Sequence, residues 1–320
     1  MKRTWTVACV VLFFLLGSAP AFAVSYNQIF VFGDSLSDDG NAYVLTGGLN
    51  PLSPPYAQRF SNGPVAVEYL AAWMGVGLSP SVLGGNDYAV GGATTGTGSA
   101  IGLWGTGIKK QVSAFTTAHP AFDPDHTLFV VWGGPNDFLL SPFPWTVNSA
   151  VNNLAASITA LAGAGAEHIL VPNMMDLGAT PLADLLGVQI YLNSLTKSFN
   201  KALAKKLNSL DALLAADIIP FDTFSALNAV LANPSAYGFT NVNDACLYTP
   251  ACTNPDTFLF WDLVHPTTYT HALLANQFAS VISNPEPETL ILLLMGMAGL
   301  LAMRRRFGGH RSAASGDKAL

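Results

Sequence analysis

Gln28-Ile29-Phe30-Val31-Phe32-Gly33-Asp34-Ser35-Leu36-Ser37-Asp38 is the stretch on which the fold turns. Its first half is an unbroken β-branched and aromatic run. It is too short for a helix and lacks the polar alternation of a half-exposed strand, so it reads as a strand buried on both faces. The run stops at the turn Gly33-Asp34-Ser35. Further short runs of this kind occur at Asp87–Val90, stopped by Gly91-Gly92, and at Thr127–Trp132, stopped by Gly133-Gly134-Pro135. Two more lie at His168–Val171 and Asp217–Pro220. Val147–Leu161 and Tyr191–Leu214 instead carry apolar residues at helical spacing, with Lys197, Lys201, Lys205 and Lys206 left to an aqueous face. Strands alternating with helices predict an α/β fold. The expected form is a doubly wound three-layer α/β/α sandwich around a parallel sheet of about five strands.

The chain has 320 residues, half of them hydrophobic and 11% charged. That is enough for one sizeable core, and no linker interrupts residues 24–283, which read as a single domain. A net charge of −6 provides no basic surface for a polyanion, so no nucleic-acid partner is expected. Gly84–Gly107 holds nine glycines. Two readings stay open there: a floppy surface loop, or a loop whose backbone N–H groups approach a ligand closely.

Both ends read as addresses. Lys2 and Arg3 precede an apolar run from Thr4 to Leu16, and Ala21-Phe22-Ala23 follows, which specifies a signal peptide over residues 1–23. The run is shorter than the ~20 residues of a membrane span, which disfavours an uncleaved anchor. Pro285-Glu286-Pro287, an apolar run over Thr289–Met303 and Arg304-Arg305-Arg306 form a three-part tail over residues 284–306. The arginines would keep residues 307–320 on the cytoplasmic side as a basic tail. The tail resembles a PEP-CTERM sorting signal. That resemblance implies passage through the inner membrane of a Gram-negative bacterium, removal by an exosortase-type enzyme and a final place at the cell surface or outside it. The residues after Arg306 depart from that pattern, and a plain C-terminal membrane anchor stays open. In an exported chain, Cys246 and Cys252 read as one local disulfide closing a short loop. No zinc site is expected, because no histidine stands at ligand spacing from them.

Ester cleavage by a serine needs a nucleophile, a base, a group orienting the base, and donors for a tetrahedral oxyanion. Ser35 follows the first strand, where open α/β sheets place their sites. Taken alone, Gly-Asp-Ser is a common turn. Gly91 follows the second predicted strand in Asn86-Asp87-Tyr88-Ala89-Val90-Gly91-Gly92-Ala93-Thr94, and Asn136 follows the third in Gly134-Pro135-Asn136-Asp137. Phe260-Trp261-Asp262-Leu263-Val264-His265-Pro266-Thr267 supplies an Asp-x-x-His pair. These four blocks, in this order over roughly residues 28–283, resemble those of the GDSL, or SGNH, hydrolase family. The resemblance implies the SGNH-hydrolase (flavodoxin-like) fold and a triad of Ser35, His265 and Asp262. It also implies an oxyanion hole from the Ser35 N–H, the Gly91 N–H and the Asn136 side-chain amide, with no cofactor and no metal.

Pro266 suits the first position of a helix running on through Thr267–Ile282, which would put His265 at a helix N-terminus and favour its neutral form. His119, His126, His168 and His271 read as structural or surface residues. Asp34, Asp38 and Asp137 are expected to hydrogen-bond turns around the site. The expected activity is that of an exported lipase or esterase on a lipid, a small acyl ester or an acetylated polysaccharide. O-acetyl esterase and acyltransferase variants stay open. Leu139–Trp145 reads either as the rim of an acyl pocket or as a surface loop with a few anchors. A non-catalytic surface-binding module on the same fold is disfavoured, because Ser35, Asn136, Asp262 and His265 are all present.

Overall fold

The computed structural model describes residues 25–283. The leader at 1–23, the sorting segment at 284–306 and the basic tail at 307–320 lie outside the described residues. Among the described residues no helix is long and apolar enough to cross a membrane.

Strands β1 (Gln28–Gly33), β2 (Thr127–Trp132), β3 (His168–Pro172) and β4 (Asp217–Phe221) form one parallel sheet in that order. The helices are α1 (Asn41–Leu45), α2 (Ala66–Met74), α3 (Ile108–Ala118), α4 (Pro135–Leu140), α5 (Pro144–Gly163), α6 (Pro181–Leu186), α7 (Gln189–Asp211), α8 (Thr223–Ala232) and α9 (Thr268–Ser283). Successive strand side chains point to opposite faces, and two cores follow from that alternation. Phe30, Phe32, Phe129, Val131, Ile169 and Val171 pack with α3, α5 and α7 on one face. Ile29, Val31, Leu128, Val130, Trp132 and Leu170 pack with α2, α8 and α9 on the other. Burial on both faces is why the strands carry no polar alternation. The three layers are those expected.

The fifth strand is not a regular one. Residues 86–90 run along the free edge of β1, where the Val31 N–H donates to the Asn86 carbonyl, the Tyr88 N–H to that of Val31 and the Val90 N–H to that of Gly33. Only the Val31–Asp87 bridge closes. The rung that would continue the ladder belongs to the Gly33 N–H, which donates to Gln111 Oε1 at 2.8 Å instead. A side chain from α3 therefore replaces one strand partner, and the regular sheet has four strands. With this edge segment counted, the order is that of flavodoxin-like sheets, in which the crevice opens where the chain switches sides of β1.

A second, two-stranded parallel sheet pairs β5 (Asn241–Ala245) with β6 (Phe258–Phe260). Between them Cys246 and Cys252 are disulfide-bonded, with their Cα atoms 5.3 Å apart. The loop they close packs with Trp261, and the Leu247 N–H donates to the Trp261 carbonyl. β6 thereby delivers the chain to Asp262.

Candidate active site

Ser35 lies in the turn that follows β1, two residues past Gly33. The Asp34 carbonyl accepts the N–H groups of Ser37 and Asp38, and Asp34 Oδ1 accepts that of Leu36. This tight turn leaves the Ser35 hydroxyl facing His265, with Nε2 to Oγ at 2.8 Å. On the other side of the ring, His265 Nδ1 lies 2.7 Å from Asp262 Oδ2. Asp262 Oδ1 accepts the backbone N–H groups of Val264 and His265. The Tyr56 hydroxyl donates to Asp262 Oδ2 at 2.7 Å. With its proton held on Nδ1 by Asp262, His265 presents Nε2 as the acceptor for the Ser35 hydroxyl.

Asn136 is buried in the first turn of α4 and donates one amide hydrogen to the Ala93 carbonyl, which leaves the other unspent. Asp137, next to it, accepts both the N–H and the hydroxyl of Thr95. Gln111 also donates to the Thr106 carbonyl. The glycine-rich segment is thus pinned to α3 and α4 and forms a wall of the site.

Gly91 is placed differently from the sequence-based expectation. Its N–H donates to Asp38 Oδ2 at 2.7 Å. Asp38 also accepts the N–H groups of Gly40, Asn41 and Ala42, so it caps α1 and ties Gly91 to it. Gly91 must still be glycine, because a Cβ there would run into the Phe60 ring. Gly92 is the residue that lines the cavity with Ser35 and Asn136. Among the described residues, neither the Gly92 nor the Ser35 N–H donates to a protein group. Gly92 has φ +78, and a Cβ on it would come within 2.7 Å of Ile101.

The GDSL-like lipase/acylhydrolase family model matches residues 29–278. The chain belongs to this family. A Pseudomonas putida relative described as "Uncharacterized protein in trpE-trpG intergenic region" is 33% identical over 86% of this chain and 52% of its own length. The thermolabile hemolysin of Vibrio parahaemolyticus is 29% identical over 81% of this chain and 64% of its own length. The chain therefore spans about half to two thirds of those two relatives. The phosphatidylcholine-sterol acyltransferase of Aeromonas hydrophila is 27% identical over 89% of this chain and 98% of that protein. Among solved structures, an acetylxylan esterase from Geobacillus stearothermophilus superimposes with a TM-score of 0.47 at 15% identity, covering 82% of this chain and 97% of that one.

In this GDSL-family chain the electrostatics of the site are set by carboxylates. Burial alone would raise the Asp262 carboxyl, but the His265 ring and the N–H donors outweigh it and hold the group down to about 2. Burial lowers His265, yet Asp262 first and Asp34 after it raise it above its ordinary value. This reverses the direction expected from a helix terminus. α9 begins at Thr268, with Pro266 outside it, so the helix dipole acts from further away than the adjoining Asp262. Asp34 is fully buried, its Oδ2 has no hydrogen-bond partner, and burial pushes it up to about 7.

The other histidines stand apart from this relay. His271 is buried, accepts the Ala66 N–H at Nδ1 and is pushed down to about 3 by burial. Asp123 and His126 repeat the Asp-x-x-His spacing and bond at 3.0 Å, but both side chains are about half exposed and no serine joins them. Tyr56 carried no sequence signal. It lies 206 residues from the carboxylate it holds, inside no recognisable motif.

Proposed function

We propose that the chain is a serine ester hydrolase that cleaves carboxylic acyl esters through an acyl-enzyme on Ser35. The unbroken relay from Ser35 Oγ through His265 to Asp262, at 2.8 and 2.7 Å, is the observation that carries this reading. His265 Nε2 takes the hydroxyl proton as Oγ bonds to the ester carbon. The charge that develops on the carbonyl oxygen meets the Ser35 N–H, the Gly92 N–H and the second amide hydrogen of Asn136. Gly92 takes the place given from sequence to Gly91, whose donor is already spent. Each such donor stabilises the transition state by roughly 3 kcal/mol. Collapse breaks the bond to the alcohol, which leaves with the proton from His265. Water then repeats the sequence on the acyl-serine and frees the acid. An alcohol taking the place of that water would make the same site an acyltransferase, a reading favoured by the likeness to the Aeromonas enzyme. Hydrolysis of p-nitrophenyl butyrate that disappears in Ser35→Ala is the direct test.

Asp34 gives this mechanism a pH signature. Its carboxylate raises His265, and the base works only when neutral, so kcat/KM should rise with pH through an acid limb lying above the usual histidine value. Asp34→Asn keeps the acceptor for the Leu36 N–H and removes the charge. The limb is expected to move to lower pH, and an unmoved limb would show that Asp34 does not act on His265. The stability sign follows separately. The folded carboxyl at about 7 lies above its unfolded value near 4, so the wild-type fold binds the proton more tightly and loses stability as pH rises from about 4 to about 7. Asp34→Asn should flatten that slope.

Export to the cell surface is the accompanying reading, supported by the leader around Thr4–Leu16 and the tail that ends in three arginines. It expects surface protein that starts near Val24 and lacks the residues after about Pro287. Intact mass showing Leu320 on that form would overturn processing of the tail.

A further inference from the structure

The cavity at Ser35 has a volume of about 200 Å³, and Leu36, Phe60, Ile101, Leu139 and Phe260 make up much of its wall. Apart from Asp34 and the groups that act on the ester, its polar members are already committed. Asp176 accepts the Gly178 N–H on one oxygen and the Asn193 amide on the other, and the Thr180 hydroxyl donates to the Leu177 carbonyl. Such a wall offers dispersion contacts and little to a sugar hydroxyl. A second, smaller apolar cavity of about 10 Å³ lies between α8 and α9, lined by Val230, Leu259 and Leu274. Met175 and Leu227 line both cavities, so these two buried side chains form the partition between them.

We propose that the larger cavity is an acyl-chain site for an unbranched fatty acyl group of medium length, and that Met175 and Leu227 set the maximum length. The proposal rests on the acyl-enzyme at Ser35. Roughly six to eight carbons is the expected fill, since a ~150 Å³ cavity lined by Leu, Ile and Phe accommodates benzene. An acetyl group would leave most of this space unused. The alcohol portion takes its proton from His265 and belongs on that side. There the wall continues past Leu139 and Val264 into an open trough bounded by Leu140, Leu182, Leu263 and Tyr248. Met175 suits the role of partition because its unbranched thioether adapts to irregular space.

The test is kcat/KM of the full chain on p-nitrophenyl esters from acetate to dodecanoate, for wild type, Met175→Ala and Met175→Phe. Wild type should gain about fourfold per methylene up to hexanoate or octanoate and fall beyond. Met175→Ala joins the two cavities and should move the optimum at least two carbons longer, while Met175→Phe moves it to butyrate. The readout is the position of the optimum within each enzyme's own ester series, so it does not depend on the absolute rate of either variant. A wild-type optimum at acetate overturns the proposal, as does an optimum unmoved in both variants. Should either variant lose acetate hydrolysis through misfolding, Leu227→Ala carries the same readout: a longer optimum supports the partition and an unmoved one overturns it. Hydrolysis of no ester by folded wild type would instead overturn the Ser35 reading, and this proposal with it.

Discussion

Ser35→Ala is expected to lower kcat for p-nitrophenyl butyrate by about 10⁶-fold while leaving the melting temperature nearly unchanged. The two halves of that expectation have different origins. The hydroxyl makes one side-chain contact, to His265 Nε2, and the turn around it is held by backbone bonds and by Asp34 Oδ1. Alanine keeps all of those, so little stability depends on the oxygen. Chemistry depends on it entirely, because no other hydroxyl bonds to His265 among the described residues. What remains should be the residual 10³- to 10⁴-fold over water that oxyanion donors and binding supply without a nucleophile. Steady-state rates alongside thermal denaturation make the comparison. Undiminished turnover by a folded variant would remove Ser35 from the mechanism.

Asp262→Asn is the second large effect, with kcat expected to fall about 10⁴-fold and KM to change little. Asp262 is an acceptor at every bond it makes: to the N–H groups of Val264 and His265 on one oxygen, and to His265 Nδ1 and Tyr56 on the other. Asparagine has only one oxygen for these. If that oxygen stays with the two backbone donors, the new NH₂ faces His265 Nδ1 and forces the proton to Nε2, where the ring can no longer accept from Ser35. If it turns the other way, two buried N–H groups lose their acceptor, at about 1–3 kcal/mol each. Loss of the charge also removes the main influence that raises His265, so the acid limb should move to lower pH. Asp262 has a stability sign opposite to that of Asp34. Held at about 2 in the fold against about 4 when unfolded, it contributes stability above pH ~4 that is lost as pH falls toward 2. An unchanged kcat would refute the orienting role.

Strand positions were readable because the sheet is covered on both faces. Double burial demands uninterrupted apolar runs, and such runs show in one dimension. The candidate site residues were readable for a related reason. Ser35, Asn136 and the Asp262–His265 pair each lie just past a strand end or in the last loop, in short blocks whose residue types suit proton transfer and oxyanion binding. Where two positions share one residue type, that legibility ends. Gly91 and Gly92 are chemically identical neighbours, and either N–H can serve an oxyanion. Asp38 decides between them by taking the first as its own donor, and nothing local to the two glycines carries that information. The same holds for histidine. Asp123–His126 and Asp262–His265 have one spacing, and only the second meets a serine.

By itself the sequence determined the α/β class and the strands that line up Ser35 and Asn136, because these follow from local pattern; through the resemblance of its four blocks it also offered Ser35, His265 and Asp262 as candidate nucleophile, base and orienting carboxylate. The tertiary structure alone decided four things. Gln111 takes the rung that would have made the edge segment a regular strand. Tyr56 reaches across the chain to Asp262. Gly92, not Gly91, faces the cavity with an unspent N–H. Met175 and Leu227 come together between two apolar cavities. All four are meetings between residues distant in the chain, governed by which buried donor finds which acceptor and which side chains close a space, and one-dimensional pattern records neither.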